Sequence, residues 1–482
     1  MKNFRLHIAA LLTLILSFSL ETSIAQLQTE GIPKSFSMAL SDDFPVVNEI
    51  DPPDLAAIAL EDKEEPVSYR FAVNIRVDIG YEDFRKTIVN GETVVAKTMI
   101  KSRGALGITL YFDAFRLPEG ARLFIYNPRR TELLGAFTSL NNNRHHTFAT
   151  RLLRGDEVII EYNAPVSAPE PVLHISEIAY AYRGVEGPEG IMTGFGASGN
   201  CEVNINCTEG SAWQNQKRGV TRIQVKRGAQ TLFCTGSLVN NTLNDGKPYI
   251  LTADHCGRQS TEIDISQWIF YLGYEGKNCP DPTKEPWQRS MTGATKIAQG
   301  GQGGFSGSDF FLVLLQSAIP DSFNVYYNGW SRSTDPSMTG VTIHHPQGDI
   351  MKVSTYKTPV VAVFWPGGTK LAHWQVKWAS TANGHGTTEP GSSGSPLFNA
   401  TGSLIGTLTG GDSSCDSAGL NLPDYYGMFS YHWDKNGSDS VSQLKPWLDP
   451  INANVMEING WALSAKTMQK SASLSIYPNP VS

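Results

Sequence analysis

All six cysteines of this chain lie between Cys201 and Cys415, and the first 200 residues contain none. In an exported protein an even set confined to one stretch reads as the disulfide framework of one domain, so the chain divides into a cysteine-free part and a bridged part. Spacing alone leaves all fifteen pairings of six cysteines open. No paired C-x-x-C spacing supports a zinc site, and no metal is expected. Export is indicated by the first 25 residues. Lys2 and Arg5 precede an apolar run from Ile8 to Leu20, and Ser23-Ile24-Ala25 offers a small-residue cleavage site. That run is too short to span a bilayer, and no other stretch is longer, so no membrane span is expected.

The remaining 457 residues exceed one domain on length. A net charge of −7 gives no basic footprint for nucleic acid. Glycine is abundant, at 45 residues, and the apolar runs are short and rich in Val, Ile, Phe and Tyr, which favours an all-β fold. Residues 26–68 are acidic and proline-containing and read as a leader arm. From Tyr69 to Arg183, alternating segments predict an antiparallel sandwich; they include Phe71 to Val77, Gly107 to Phe112, Arg122 to Tyr126 and Glu157 to Tyr162. Residues 184–200 are small and glycine-rich, predict no strand and read as an exposed linker. The bridged domain then occupies residues 201–461, with a short helix expected from Asp439 to Leu448, and residues 462–482 form a tail. His145-His146 lacks a third ligand nearby and reads as a solvated loop.

Gly391-Ser392-Ser393-Gly394-Ser395-Pro396 and Leu251-Thr252-Ala253-Asp254-His255-Cys256-Gly257 carry the chemistry. A serine hydroxyl is a poor nucleophile until a base takes its proton, and that base needs a carboxylate to fix its tautomer. Ser393, His255 and Asp309 fill those roles, Asp309 opening the apolar run Phe310 to Leu315. Glycines flanking Ser393 permit a tight turn whose Gly391 and Ser393 amides converge on a developing oxyanion. The chain order His255, Asp309, Ser393 is that of chymotrypsin-type enzymes. Asp254 also neighbours His255, but on an extended segment adjacent side chains point to opposite faces. His344-His345-Pro346 reads as a structural turn, and His385 as a loop residue bordering the cleft.

Residues 199–461 resemble the bacterial lysyl endopeptidases, a branch of the trypsin-like two-barrel serine proteases. The matching elements are Gly199-Asn200-Cys201, Cys207, Leu251-Thr252-Ala253 before His255-Cys256-Gly257, and His344-His345-Pro346-Gln347-Gly348-Asp349. Thr387-Thr388-Glu389-Pro390 and Asp424-Tyr425-Tyr426-Gly427 also match. The resemblance implies the pairs Cys201–Cys415, Cys207–Cys279 and Cys234–Cys256. It also implies a propeptide sandwich over residues 69–183. Leu474-Ser475-Ile476-Tyr477-Pro478-Asn479-Pro480 is similar to the start of a type IX secretion sorting domain, which the chain would not complete. The implied protein is a secreted zymogen acting as a monomer on protein or peptide substrates, without cofactor; cell-surface attachment would come through the sorting segment. From the architecture, a folded β domain ahead of a barrel protease is expected to template its slow non-local strand pairing and to block the cleft until removed.

The position six residues before Ser393, where trypsins carry their pocket aspartate, is Thr387. By resemblance the pocket acid is Asp424, nine residues beyond Cys415, with Thr407 to Gly411 as the strand edge that receives substrate and Thr409 and Gly410 lining the pocket. The family's pocket histidine is replaced by Thr409, which leaves the choice between lysine and arginine open. No lysine lies between Lys101 and Lys217, whereas Arg183 stands at the expected boundary. Either arginine is accepted, with self-cleavage after Arg183, or another protease matures the chain. The alternatives are a serine endopeptidase of other specificity, such as for acidic side chains, and a cell-surface adhesin, which has no reason to hold three triad members.

Overall fold

Strands form where apolar residues alternate, because a period of two places successive side chains on opposite faces of a sheet. The structure, a computed structural model, describes residues 31–37, 46–64, 69–187, 190–286 and 289–462. The expected signal peptide (1–25) and the segment from Leu474 lie outside them. The architecture is mostly β, with several mainly antiparallel sheets. No helix of the described residues is long and apolar enough to cross a membrane.

In the N-terminal region one sheet runs through Thr93–Lys101, Glu157–Pro165, Arg122–Tyr126 and Leu133–Phe137. The facing layer contains β1 (Tyr69–Gly80), β2 (Gly107–Arg116) and β3 (Val172–Ala181), with β3 between the other two. Ile100, Ile108, Leu110, Phe112, Leu123 and Ile160 fill the space between the layers. The expected leader arm is in part folded onto this sandwich. Val46–Glu49 adds parallel to Thr93–Lys101, and Leu55–Glu64 is a helix. An open sheet edge pairs with almost any extended segment, so the arm's composition gave no sign of it.

The bridged region holds β4 (Val220–Arg227), β5 (Gln230–Leu238), β6 (Tyr249–Thr252) and β7 (Phe310–Leu315) in one sheet. A second sheet contains β8 (Gly340–His344), β9 (Leu371–Val376), β10 (Leu404–Gly411) and β11 (Asp424–Met428). The ladders do not by themselves establish the expected two-barrel arrangement: among the described residues neither sheet closes on itself. In the first, the terminal strands Arg289–Thr292 and Ala294–Gly300 follow each other through Gly293 without pairing.

The first sheet does not stop at the domain boundary. β5 pairs antiparallel with β1, from Gln230↔Val73 to Phe233↔Tyr69, making one twelve-stranded sheet of both regions among the described residues. From Gly107 to Phe112, β2 is buried on both faces. Thr109 and Tyr111, on its outward face by alternation, accept from Gln224 Nε2 at 3.1 Å and meet Thr231 Oγ1 at 2.9 Å. Residues 184–200 depart from the strandless expectation, since Val185–Gly187 pairs with Gly190–Met192. Their far end is fixed as well: Gly196 N–H donates to Asp349 Oδ1 at 2.8 Å, and Gly199 N–H to both Glu389 oxygens at 3.1 Å. The expected helix from Asp439 is split into two single turns, Ser440–Ser442 and Lys445–Leu448.

Candidate active site

His255 stands on a single helical turn, Asp254–Gly257, that follows β6 directly. Asp309 immediately precedes β7, the neighbour of β6, so the sheet register brings the two together. Asp309 has φ +56, and this left-handed kink turns its carboxylate back toward the histidine. Oδ2 lies 2.8 Å from His255 Nδ1, and Oδ1 accepts the His255 backbone N–H at 3.0 Å. Burial pushes the Asp309 carboxyl up, but the imidazole charge and these two bonds outweigh it and hold the group below its ordinary range. A carboxylate so placed fixes Nδ1 as the protonated ring nitrogen and leaves Nε2 as a base.

Ser393 lies in a turn gripped by strands on both sides. Thr235 of β5 donates its N–H to Ser393 O at 2.8 Å, and Gly394 N–H donates to Leu408 O of β10 at 2.8 Å. Gly391 and Gly394 have φ +100 and +79, a region that disfavours a Cβ, and a side chain at 394 would also strike Thr252. Among the described residues neither the Gly391 nor the Ser393 amide donates to another group, which leaves both available to an oxyanion. His255 Nε2 is buried without a hydrogen-bond partner among those residues, so its bond to Ser393 Oγ is not made here. Such bonds are commonly long before substrate binds.

The cysteines pair as Cys201–Cys415, Cys207–Cys279 and Cys234–Cys256. The third bridge joins β5 to the helical turn that carries His255. Asp254 sits on that turn, not on an extended segment as expected, and its Oδ2 accepts Gly303 N–H at 2.9 Å. Burial, reinforced by the Asp309 charge, lifts its carboxyl to about 7.

Asp424 begins β11, opposite Gly411 of β10, and is wholly buried. Its Oδ2 accepts from Trp378 Nε1 at 2.6 Å, Ser413 Oγ at 2.6 Å and Thr388 Oγ1 at 2.8 Å. Its Oδ1 accepts Ser413 N–H at 3.2 Å. Every donor is neutral, and burial, only partly offset by these bonds, pushes the carboxyl to about 6. A carboxylate in this setting gains from a cation brought to it. Thr409 bonds His373 Nε2 at 3.0 Å, and Trp365 packs over that imidazole with ring centroids 5.8 Å apart. Gly410 pairs with Tyr425 on the same strand edge. Burial holds His373 near 4, and therefore neutral at pH 7.

The sequence did not single out Trp378, Ser413 or His373. A tryptophan N–H that must find a buried acceptor was the one available signal, and it named no partner. His344 supports the turn: its Nδ1 meets Ser392 Oγ at 2.8 Å, and burial lowers its pKa to about 3. His385 bonds the Gly386 carbonyl at 2.9 Å and contacts none of these groups. His145 is exposed and accepts from Arg144 at 3.0 Å. Among the described residues, one group has ligand-like spacing, Glu202, Glu389 and Cys415, and its cysteine is spent in a disulfide.

Residues 195–427 match the family described as the C-terminal domain of lysyl endopeptidase. A lysyl endopeptidase of Pseudomonas aeruginosa is 29% identical over 293 residues, covering 58% of this chain. The match spans 60% of that relative's length. The solved structure of Rv3671c from M. tuberculosis, in an inactive form, is 13% identical, with a TM-score of 0.28 over 45% of this chain and 84% of that one. A likeness that weak carries no argument.

Proposed function

We propose that this chain is a secreted serine endopeptidase that cleaves after lysine or arginine. In this reading Ser393 Oγ attacks the scissile carbonyl as His255 Nε2 takes its proton. The oxyanion is held by the Gly391 and Ser393 amides, and Asp309 stabilises the imidazolium. The imidazolium then protonates the leaving amine, the C–N bond breaks, and an acyl group remains on Ser393. Water, deprotonated by the same imidazole, hydrolyses that ester and restores the enzyme. The side chain preceding the cut pairs with Asp424. The accompanying fold reading is two chymotrypsin-like barrels, each open at one seam, and residues 26–183 serve as propeptide.

The observation that carries the proposal is the paired grip of Asp309 on His255, ring and backbone together, beside a turn with two uncommitted amides. The resemblance to lysyl endopeptidases favours basic side chains, and the neutral surroundings of Asp424 favour any cation of that reach. A fluorophosphonate should label wild type on Ser393 and leave Ser393→Ala unlabelled. Cuts in a mixed protein digest should follow Lys or Arg; cuts after Glu, or none, would overturn the proposal.

A further inference from the structure

The inference rests on the endopeptidase reading and concerns where the second half of a substrate goes. The Ser393 turn lies between β10, reached through Gly394 and Leu408, and β5, reached through Thr235 and the Ser393 carbonyl. Asp424 and the Thr407–Gly411 edge are on the β10 side. A polypeptide whose acyl half lies there must send its leaving half across β5.

One edge of β5 is paired along its whole length with β4, from Val220↔Ser237 to Arg227↔Gln230. On the other edge, β6 covers Ser237 and Leu238. The stretch from Gln230 to Phe233, just short of Thr235, is taken by β1. Because that pairing is antiparallel, Tyr69 is the β1 residue nearest Ser393, and the chain then runs away from the turn. A bulge between Thr231 and Leu232 accompanies the seating of the Phe71 ring on Phe233, centroids 3.9 Å apart.

The contact mixes an apolar patch, in which Tyr69, Phe71 and Tyr111 meet Phe233, Ile269 and Tyr271, with polar pairs. Tyr111–Thr231, Thr147–Ser266 and Gln267–Phe112 O are buried polar pairs across it, at 2.9 Å each, and Lys226 meets Glu177.

We infer that β1 occupies the strand edge that receives the leaving half of a polypeptide substrate, so that the uncut chain is closed to polypeptides but open to small substrates ending at the scissile bond. Once the N-terminal region departs, the Gln230–Phe233 edge binds extended peptide by strand addition, and Phe233 contacts its side chains.

The test compares uncut full chain, its integrity checked by mass, with the same preparation after limited cleavage between residues 184 and 194. Two substrates are used: an acyl-lysine p-nitroanilide, and a quenched peptide with several residues beyond its lysine. In the uncut chain the anilide should be hydrolysed at close to the cleaved rate. Peptide kcat/KM should be down about 100-fold, as for a cover open about 1% of the time. Phe71→Asp in the uncut chain should restore peptide cleavage with little effect on the anilide. Equal suppression of both substrates, or full peptide cleavage by the uncut chain, overturns the inference and leaves the endopeptidase reading intact. If the cleaved form neither labels with fluorophosphonate nor cuts either substrate, that reading falls, and this inference with it.

Discussion

Behind His255 and beneath β10 lie two carboxylates, Asp309 and Asp424, both wholly buried, on which the protein has opposite effects. Asp309 is given a partner within the chain, and its carboxyl is held below the ordinary range. Among the described residues Asp424 receives four hydrogen bonds and no positive charge, and it rises to about 6. Burial alone therefore decides neither case. The first acid is complete without substrate, whereas the second has its geometry fixed and its charge left for something else to balance.

Exchanging the two acids for amides should separate these roles. Asp309→Asn is expected to lower kcat by about 10⁴-fold with little change in KM, because an amide cannot hold the ring tautomer or balance the imidazolium. Steady-state kinetics on a lysyl anilide checks it; a loss confined to KM would show that Asp309 is not behind the base.

Asp424→Asn should cost less, about 10²–10³-fold in kcat/KM on basic substrates, the effect of leaving the substrate's charge buried and unpaired. Its stability should move the other way. In the folded chain Asp424 keeps its proton up to about pH 6, whereas an unfolded aspartate releases it near 4. The stability this gives is full below about pH 4 and is lost as pH rises through about 6. Thermal melts should thus show Asp424→Asn more stable than wild type above pH 6 and little different at pH 4. For the same reason wild-type kcat/KM on lysyl substrates should fall as pH drops below about 6. Protonation of the His255 base also lowers the rate there, so the share of Asp424 is read from the ratio of wild type to Asp424→Asn, which should shrink toward one below pH 6.

The smallest change is expected from Ser413→Ala, which removes the hydroxyl bonded to Asp424 at 2.6 Å. It should destabilise the fold by about 1 kcal/mol and move the acid limb of kcat/KM upward by a fraction of a pH unit. A downward shift would mean that Ser413 does not favour the ionised form.

The paired acid was the more legible of the two in the sequence. Asp309 stands at the head of an apolar strand, between a histidine motif and a glycine-flanked serine, so order and local pattern suffice to nominate it. Asp424 was nominated by resemblance alone. Its partners Trp378, Thr388 and Ser413 lie 46, 36 and 11 residues away in the chain, and no periodicity links them. The β character of both regions was readable from alternation at strands such as Gly107–Arg116. Which faces meet water was not, because Tyr111 and Thr109 answer to residues of the bridged region, more than a hundred positions along the chain. The short helix carrying Asp254 and His255 escaped for a related reason: Gly303 and the Cys234–Cys256 bridge support it, and both are distant in sequence.

The stitching of Gly196 and Gly199 onto Asp349 and Glu389 restricts where the two halves can be parted. Severing the backbone upstream of Gly194 leaves that hem sewn to the loop that holds Ser393. Severing it downstream of Gly199 would unpick the hem, and the turn four residues beyond Glu389 would lose one of its moorings.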